Sequence, residues 1–157
     1  MRRRLMMCSA LLVPLVALVA SPAAAAQQVQ AAGAVTRTSF TVTSSRAVGS
    51  VTLLDFLETD ALTGTFSGTS VLTGQCIVFS SGEARCMADE TFTGTIAGEF
   101  GTMDFKDLIS LDMGTGVFDG RFTITGATGE LTNIHGRGTF SGTGATGTYS
   151  GTLVIAP

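Results

Sequence analysis

The stretch Gly64-Thr-Phe-Ser-Gly-Thr69 returns three more times with little change. It is "GTFSGT" again at Gly138–Thr143, "GTYSGT" at Gly147–Thr152 and "GTIAG" at Gly94–Gly98. Glycine with threonine can cradle a phosphate, but that use needs a helix N-terminus after the glycines and usually a lysine. Neither follows any of the four copies. With a period of two the stretch is a strand. Gly64, Phe66 and Gly68 then share one face, and Thr65, Ser67 and Thr69 share the other. The same split holds for Gly138, Phe140 and Gly142. It holds also for Gly147, Tyr149, Gly151 and Leu153, and for Phe92, Gly94, Ile96, Gly98 and Phe100. Glycine beside each large side chain leaves room for a neighbouring ring and lets a strand bend at a barrel corner.

Working outward from these copies, strand and turn signals continue from Thr36 to the end of the chain. No segment carries a sustained 3.6-residue apolar period, and threonine and phenylalanine, both abundant, suit pleated strands. The predicted strands are Thr36–Ser44, Val51–Thr59, Leu62–Val71, Leu72–Phe79, Arg85–Ile96, Phe100–Asp112, Val117–Thr125, Arg137–Ser141 and Thr148–Ile155. If Leu62–Val71 and Leu72–Phe79 form one bent strand, eight remain. Gly129–Ile134 reads as a short helical turn, and Gln27–Val35, which has little pattern, as a loose leader. Short strands separated by such turns make an all-β sandwich or barrel.

The N-terminus reads as an export signal. Met1-Arg-Arg-Arg4 is basic, Leu5–Ala20 is apolar, and Ala24-x-Ala26 offers a small-residue cleavage site before Gln27. The apolar run is short for a membrane span. Residues 1–26 are thus expected to be removed and the protein to be secreted or periplasmic. The rest, about 130 residues, is one domain with its barrel over residues 36–157. All three N-terminal arginines leave with the signal, so six basic residues face twelve acidic ones. Such a chain has no electrostatic footprint for nucleic acid and no basic patch for an anionic membrane.

Cys76 and Cys86 remain after cleavage, and an even pair in an exported protein reads as a disulfide. The hairpin around Ser80-Ser-Gly-Glu83 checks this. Centred on Ser81, it sets Cys76 opposite Cys86, Gly68 opposite Gly94, Phe66 opposite Ile96, Leu72 opposite Glu90 and Leu62 opposite Phe100. Directly opposed residues of an antiparallel pair are close enough to bridge. Two cysteines with no nearby histidine are too few for zinc. Asp104, Asp107 and Asp112 lack the order of a calcium loop and are read as outside solubilising charge, so no metal or other cofactor is expected.

The glycine–aromatic face, if inward, carries few polar groups. Glu58 follows Phe56 on it, Glu90 precedes Phe92, and Tyr149 lies between Gly147 and Gly151. These three are the candidate ligand-binding residues. A carboxyl in an apolar cavity has a raised pKa and can act as acid or base; at a strand end it would simply meet water. His135 and Arg137 fall on the opposite parity and are expected outside. A single histidine without a nucleophile elbow makes no Ser/His/Asp triad.

Three segments resemble a known family: "ETFTGTIAGEFGTMDF" (Glu90–Phe105), "GRFTITGATGELTNIHGRGTF" (Gly120–Phe140) and "YSGTLV" (Tyr149–Val154). They are similar to the core of the DUF3224 family of bacterial proteins, grouped with the allene oxide cyclase and dirigent proteins. Gly126–Phe140 resembles that family's Gly-Ser/Ala-Thr-Gly-x-Leu-x-x-x-x-Gly-x-Gly segment, and Leu62–Ser70 extends the likeness weakly. The resemblance implies an eight-stranded antiparallel barrel, closed or nearly so, with a central cavity; in the plant relatives such a cavity steers a reactive substrate. No catalytic residue of theirs has a counterpart here. Three functions are left open: a binder of a small apolar molecule or a protein with another non-catalytic role, an isomerase or cyclase that works by shaping its cavity, and a structural or surface-interaction protein.

Overall fold

A computed structural model describes residues 25–157; the expected signal, apart from Ala25 and Ala26, lies outside the described residues. Eight antiparallel strands follow one another around a closed ring. They are β1 (Gln27–Val48), β2 (Val51–Gly64), β3 (Phe66–Phe79), β4 (Glu83–Ile96), β5 (Glu99–Asp112), β6 (Val117–Gly129), β7 (Ile134–Thr143) and β8 (Thr146–Ile155). Each strand pairs with the next, and β1 also pairs with β8, from Gln27 opposite Ile155 to Thr36 opposite Thr146.

The expected loose leader is therefore a strand. Gln27–Val35 forms the first part of β1 and closes the ring. Its inner face is Val29, Ala31, Gly33 and Val35, side chains too small or too few to show alternation in the sequence. The turn between β2 and β3 also differs from expectation, falling at Gly64–Thr65 rather than at Asp60–Ala61. No break follows Val71: Phe66–Phe79 is one strand, which gives the count of eight. Gly64 has φ +100°, and a Cβ there would lie 2.5 Å from the Ala32 oxygen. Thr65 then ties the corner to β1, its hydroxyl accepting from Ala32 N at 3.0 Å.

The repeated glycines answer to the rings opposite them. Across the ladders Phe56 faces Gly74, Phe122 faces Gly138, Phe118 faces Gly142, Phe140 faces Gly120 and Tyr149 faces Gly33. A Cβ at Gly138 would sit 2.4 Å from Phe122 Cζ, so the ring lies flat over bare backbone. One position departs from the expected face. Ala97 and Gly98 form a two-residue turn, both with positive φ, and beyond it Phe100 points outward and is exposed.

The hairpin register is observed as expected for Cys76–Cys86, Gly68–Gly94, Phe66–Ile96 and Leu72–Glu90. Leu62 is the correction: it lies on β2 opposite Gly68 and Val35, because the chain turns before Phe66. Cys76 and Cys86 are joined by a disulfide. The loop it closes is short, so reduction is expected to cost about 2–3 kcal/mol. Urea unfolding with and without reductant measures this; identical midpoints would contradict it.

The interior has two unlike halves. At the end bearing the 64–65, 97–98 and 130–133 turns, Phe66, Phe92, Met103, Phe105, Phe122, Ile124, Ile134 and Leu153 form a solid core. Leu131 plugs that end, fully buried on a tight turn after Gly129, and Glu130 accepts from Phe100 N at 2.8 Å. The Gly126–Phe140 motif thus builds the stopper of the ring; its Gly129–Ile134 piece is a turn. Toward the other end Phe56, Leu72, Ala84, Ala88 and the disulfide line the wall without filling the middle.

Candidate functional site

The space left by that second half is a cavity of about 360 Å³. It opens among the 113–116 and 144–145 turns, where Met113, Gly116, Gly144 and Ala145 form part of its rim. Phe40 and Val42 also line it and remain solvent-exposed, which leaves apolar surface uncovered at the mouth.

Strand alternation and register place an arc of polar groups along one side. Arg37 stands opposite Asp60, and Asp60 opposite Ser70. Glu58 and Glu90 both stand opposite Leu72, from either side. Asp107 stands opposite Ala88, one step diagonal from Glu90. A bulge between Arg37 and Ser39 lets both Arg37 and Phe40 face inward. Arg37 Nε lies 3.0 Å from Glu58 Oε2, and its guanidinium stacks 5.3 Å from the Phe40 ring centroid. The side facing this arc is aromatic: Phe118, Phe122, Phe140 and Tyr149, from β6 to β8.

Two of the three sequence candidates therefore meet in this site, and neither lies at a strand end. Glu58 is buried beside Arg37, while Glu90 keeps some access from the cavity. Tyr149 lines the floor, but its hydroxyl is already used by the frame. It donates to the Thr63 oxygen at 3.0 Å and accepts from Phe66 N at 2.8 Å. His135 and Arg137 are exposed on the outside, as are Asp104 and Asp112. Asp107 is the correction. Expected outside, it is 2% exposed within the ring. Its parity with Met103, Phe105, Ile109 and Leu111 carried that signal. Asp60, Ser70 and Arg37 were missed; Asp60 shares the parity of Glu58 and Leu62.

No N–H donor reaches either oxygen of Asp107 or Oδ1 of Asp60; Asp107 and Ser70, the latter 1% exposed, turn instead to the Glu90 carboxyl. Burial, then the neighbouring Glu90 charge, pushes Asp107 up to about 9. Burial, then Glu58, raises Asp60 to about 7. Burial also raises Glu90, against the opposing pull of Ser70 and Asp107. At neutral pH the arc thus holds protons that the unfolded chain, with carboxyls near 4, has released. Those protons favour the folded state fully below about pH 4, and the gain is lost as pH rises through 7 and then 9. The opposite sign applies to Asp112, held low by Thr115 and Gly114 N–H groups, and to Asp55, held low by Gln75 and Ser44. Their contribution is lost on acidification. The ligand-free protein is expected to melt highest near pH 4–5 and lower toward pH 9. Each buried group contributes at most about 1.4 kcal/mol per pH unit. Asp107→Asn should flatten the slope; melting curves independent of pH from 5 to 9 would contradict it.

This ring, with its plug and cavity, has a counterpart among solved structures. The fold is similar to that of a DUF3224-family protein. The crystal structure of that protein of unknown function, from Shewanella oneidensis MR-1, matches with a TM-score of 0.70. The match covers 83% of this chain and all of that one, at 18% sequence identity. At that identity the likeness is one of fold. No family model and no curated protein matches the chain.

Proposed function

We propose that this chain is an exported binding protein of the DUF3224 kind, which holds a small, mainly apolar molecule inside its ring. The observation that carries this reading is the cavity, with its open mouth, aromatic wall and few polar groups. Sites for small molecules commonly combine those features. Export rests on the Met1–Ala26 sequence pattern, and the disulfide is compatible with an oxidising compartment. The wider kinship we propose, with allene oxide cyclase and dirigent proteins, rests on the glycine-and-strand motifs. The test uses N-phenylnaphthylamine, a neutral dye that brightens in apolar surroundings. Saturable enhancement is expected, and Ala145→Trp, which places an indole at the mouth, should weaken it at least tenfold. No enhancement, or enhancement indifferent to that change, would overturn the reading.

A second reading is an isomerase or cyclase that steers a reactive substrate. Asp60 and Asp107 favour it, because carboxyls that keep protons near neutral pH inside an apolar cavity suit general acid catalysis. Recovery of the native bound molecule separates the two: a binder returns it unchanged, an enzyme returns an isomer. A purely structural role, expected to go with a solid interior, is disfavoured by the open half of the ring.

A further inference from the structure

The polar arc has one sign of charge in excess. Among the residues lining the cavity Glu58, Asp60, Glu90 and Asp107 are acidic, and Arg37 is the one base. Arg37 is already paired in charge with Glu58 at 3.0 Å, although its Nε–H is not aligned for a hydrogen bond. That leaves Glu90 and Asp107 without a countercharge and Asp60 only a share in Arg37, and no N–H donor reaches Asp60 Oδ1 or either oxygen of Asp107. Ser70 beside them has only the Glu90 carboxyl to turn to. In the empty ring these groups can be satisfied by sharing protons with one another. A ligand that brings N–H donors and positive charge would do it better, because a desolvated carboxylate is costly unless paired. An anionic ligand would meet only a neutralised arginine. A neutral ligand would leave the excess where it is.

Two further features shape the occupant. No three carboxylate, histidine or cysteine groups among the described residues converge as a metal-ion cage. Opposite the acids stand Phe118, Phe122 and Phe140, an aromatic wall for hydrocarbon or for the face of a cation. The volume, about 360 Å³, lies at the small end of ligand cavities.

We infer that the cavity selects a small amphiphilic organic cation, an amine or ammonium whose charged end meets Asp107, Glu90 and Asp60 while its hydrocarbon part runs along the aromatic wall toward the mouth. This rests on the binding function proposed above and names the ligand class for it. The positive end takes the place of protons held by the arc, so binding should release protons into solution.

Titration calorimetry of the intact barrel at pH 7.5 with octylamine, octanol and octanoate tests it, since the three share a chain and differ in charge. Octylamine is expected to bind at least tenfold more tightly than octanol, and octanoate more weakly than either. In buffers of different ionisation heat, octylamine binding should release at least half a proton and octanol none. Asp107→Asn, which keeps the shape but can take no negative charge, should cut octylamine affinity about tenfold and octanol affinity far less. Glu90→Gln should do the same. Equal affinity for octanol and octylamine, or an octylamine preference that survives both changes, would overturn the inference while leaving the binding function in place. Heat from none of the three probes would overturn both.

Discussion

A chain that begins at Thr36 is expected not to fold. Nine of the ten residue pairs that join β1 to β8 involve Gln27–Val35. Without them β8 presents an unpaired edge from Gly147 to Ile155, and exposed edges of that kind pair with other chains. The loss is also internal. Ala31 is fully enclosed in the core, Val29 and Val35 pack against it, and Gly33 is the bare backbone beneath the Tyr149 ring. Thr65 loses the Ala32 groups that hold its corner. Far-ultraviolet circular dichroism and size-exclusion chromatography of the shortened chain should show no cooperative melt and extensive association. A monomer that melts like the parent would show that closure is dispensable.

Phe66→Ala is expected to destabilise the ring by about 3–5 kcal/mol, the range for removing a buried aromatic side chain. Phe66 is 2% exposed and sits at the centre of the solid half. Its ring centroid lies 5.0 Å from Tyr149, 5.7 Å from Phe92, 5.9 Å from Phe105 and 6.2 Å from Phe122. Four rings lose a partner at once, and the cavity lies next to the vacated space. Chemical denaturation measures the loss; a change below about 1 kcal/mol would mean that the core collapses to fill the gap.

Much of this was open to reading because the frame obeys alternation. Phe66, Phe92 and Tyr149 point inward, His135 and Arg137 point outward, and the Cys76–Cys86 register follows from one hairpin. The failures came where alternation is interrupted or muted. The bulge after Arg37 shifts parity within β1, so a period of two could not put Arg37 and Phe40 on one face. Ala31 and Gly33 bury too little side chain to mark a strand. The Ala97-Gly98 turn ended a pattern that looked continuous to Phe100. Asp107 is a different case. Its parity sets it with Phe105 and Ile109, while the chemistry of a carboxyl points to water, and the parity prevails. The acidic arc also needs four strands to assemble, and nothing local in the chain brings Asp60, Glu90 and Asp107 together.

The order of pairing around the ring also sets a timetable. Every junction but one is a hairpin between successive strands, which can zip as soon as both arms exist. The last junction joins the two extremes of the chain, as in the contact of Gln30 with Thr152, 122 residues apart. Loop-closure entropy makes such a contact slow to form. A chain delivered N-terminus first would carry β1 unpaired on one side until β8 arrived. Until then it would remain an open ribbon, and its interior would become a walled cavity, open only at the mouth, once β8 paired with β1.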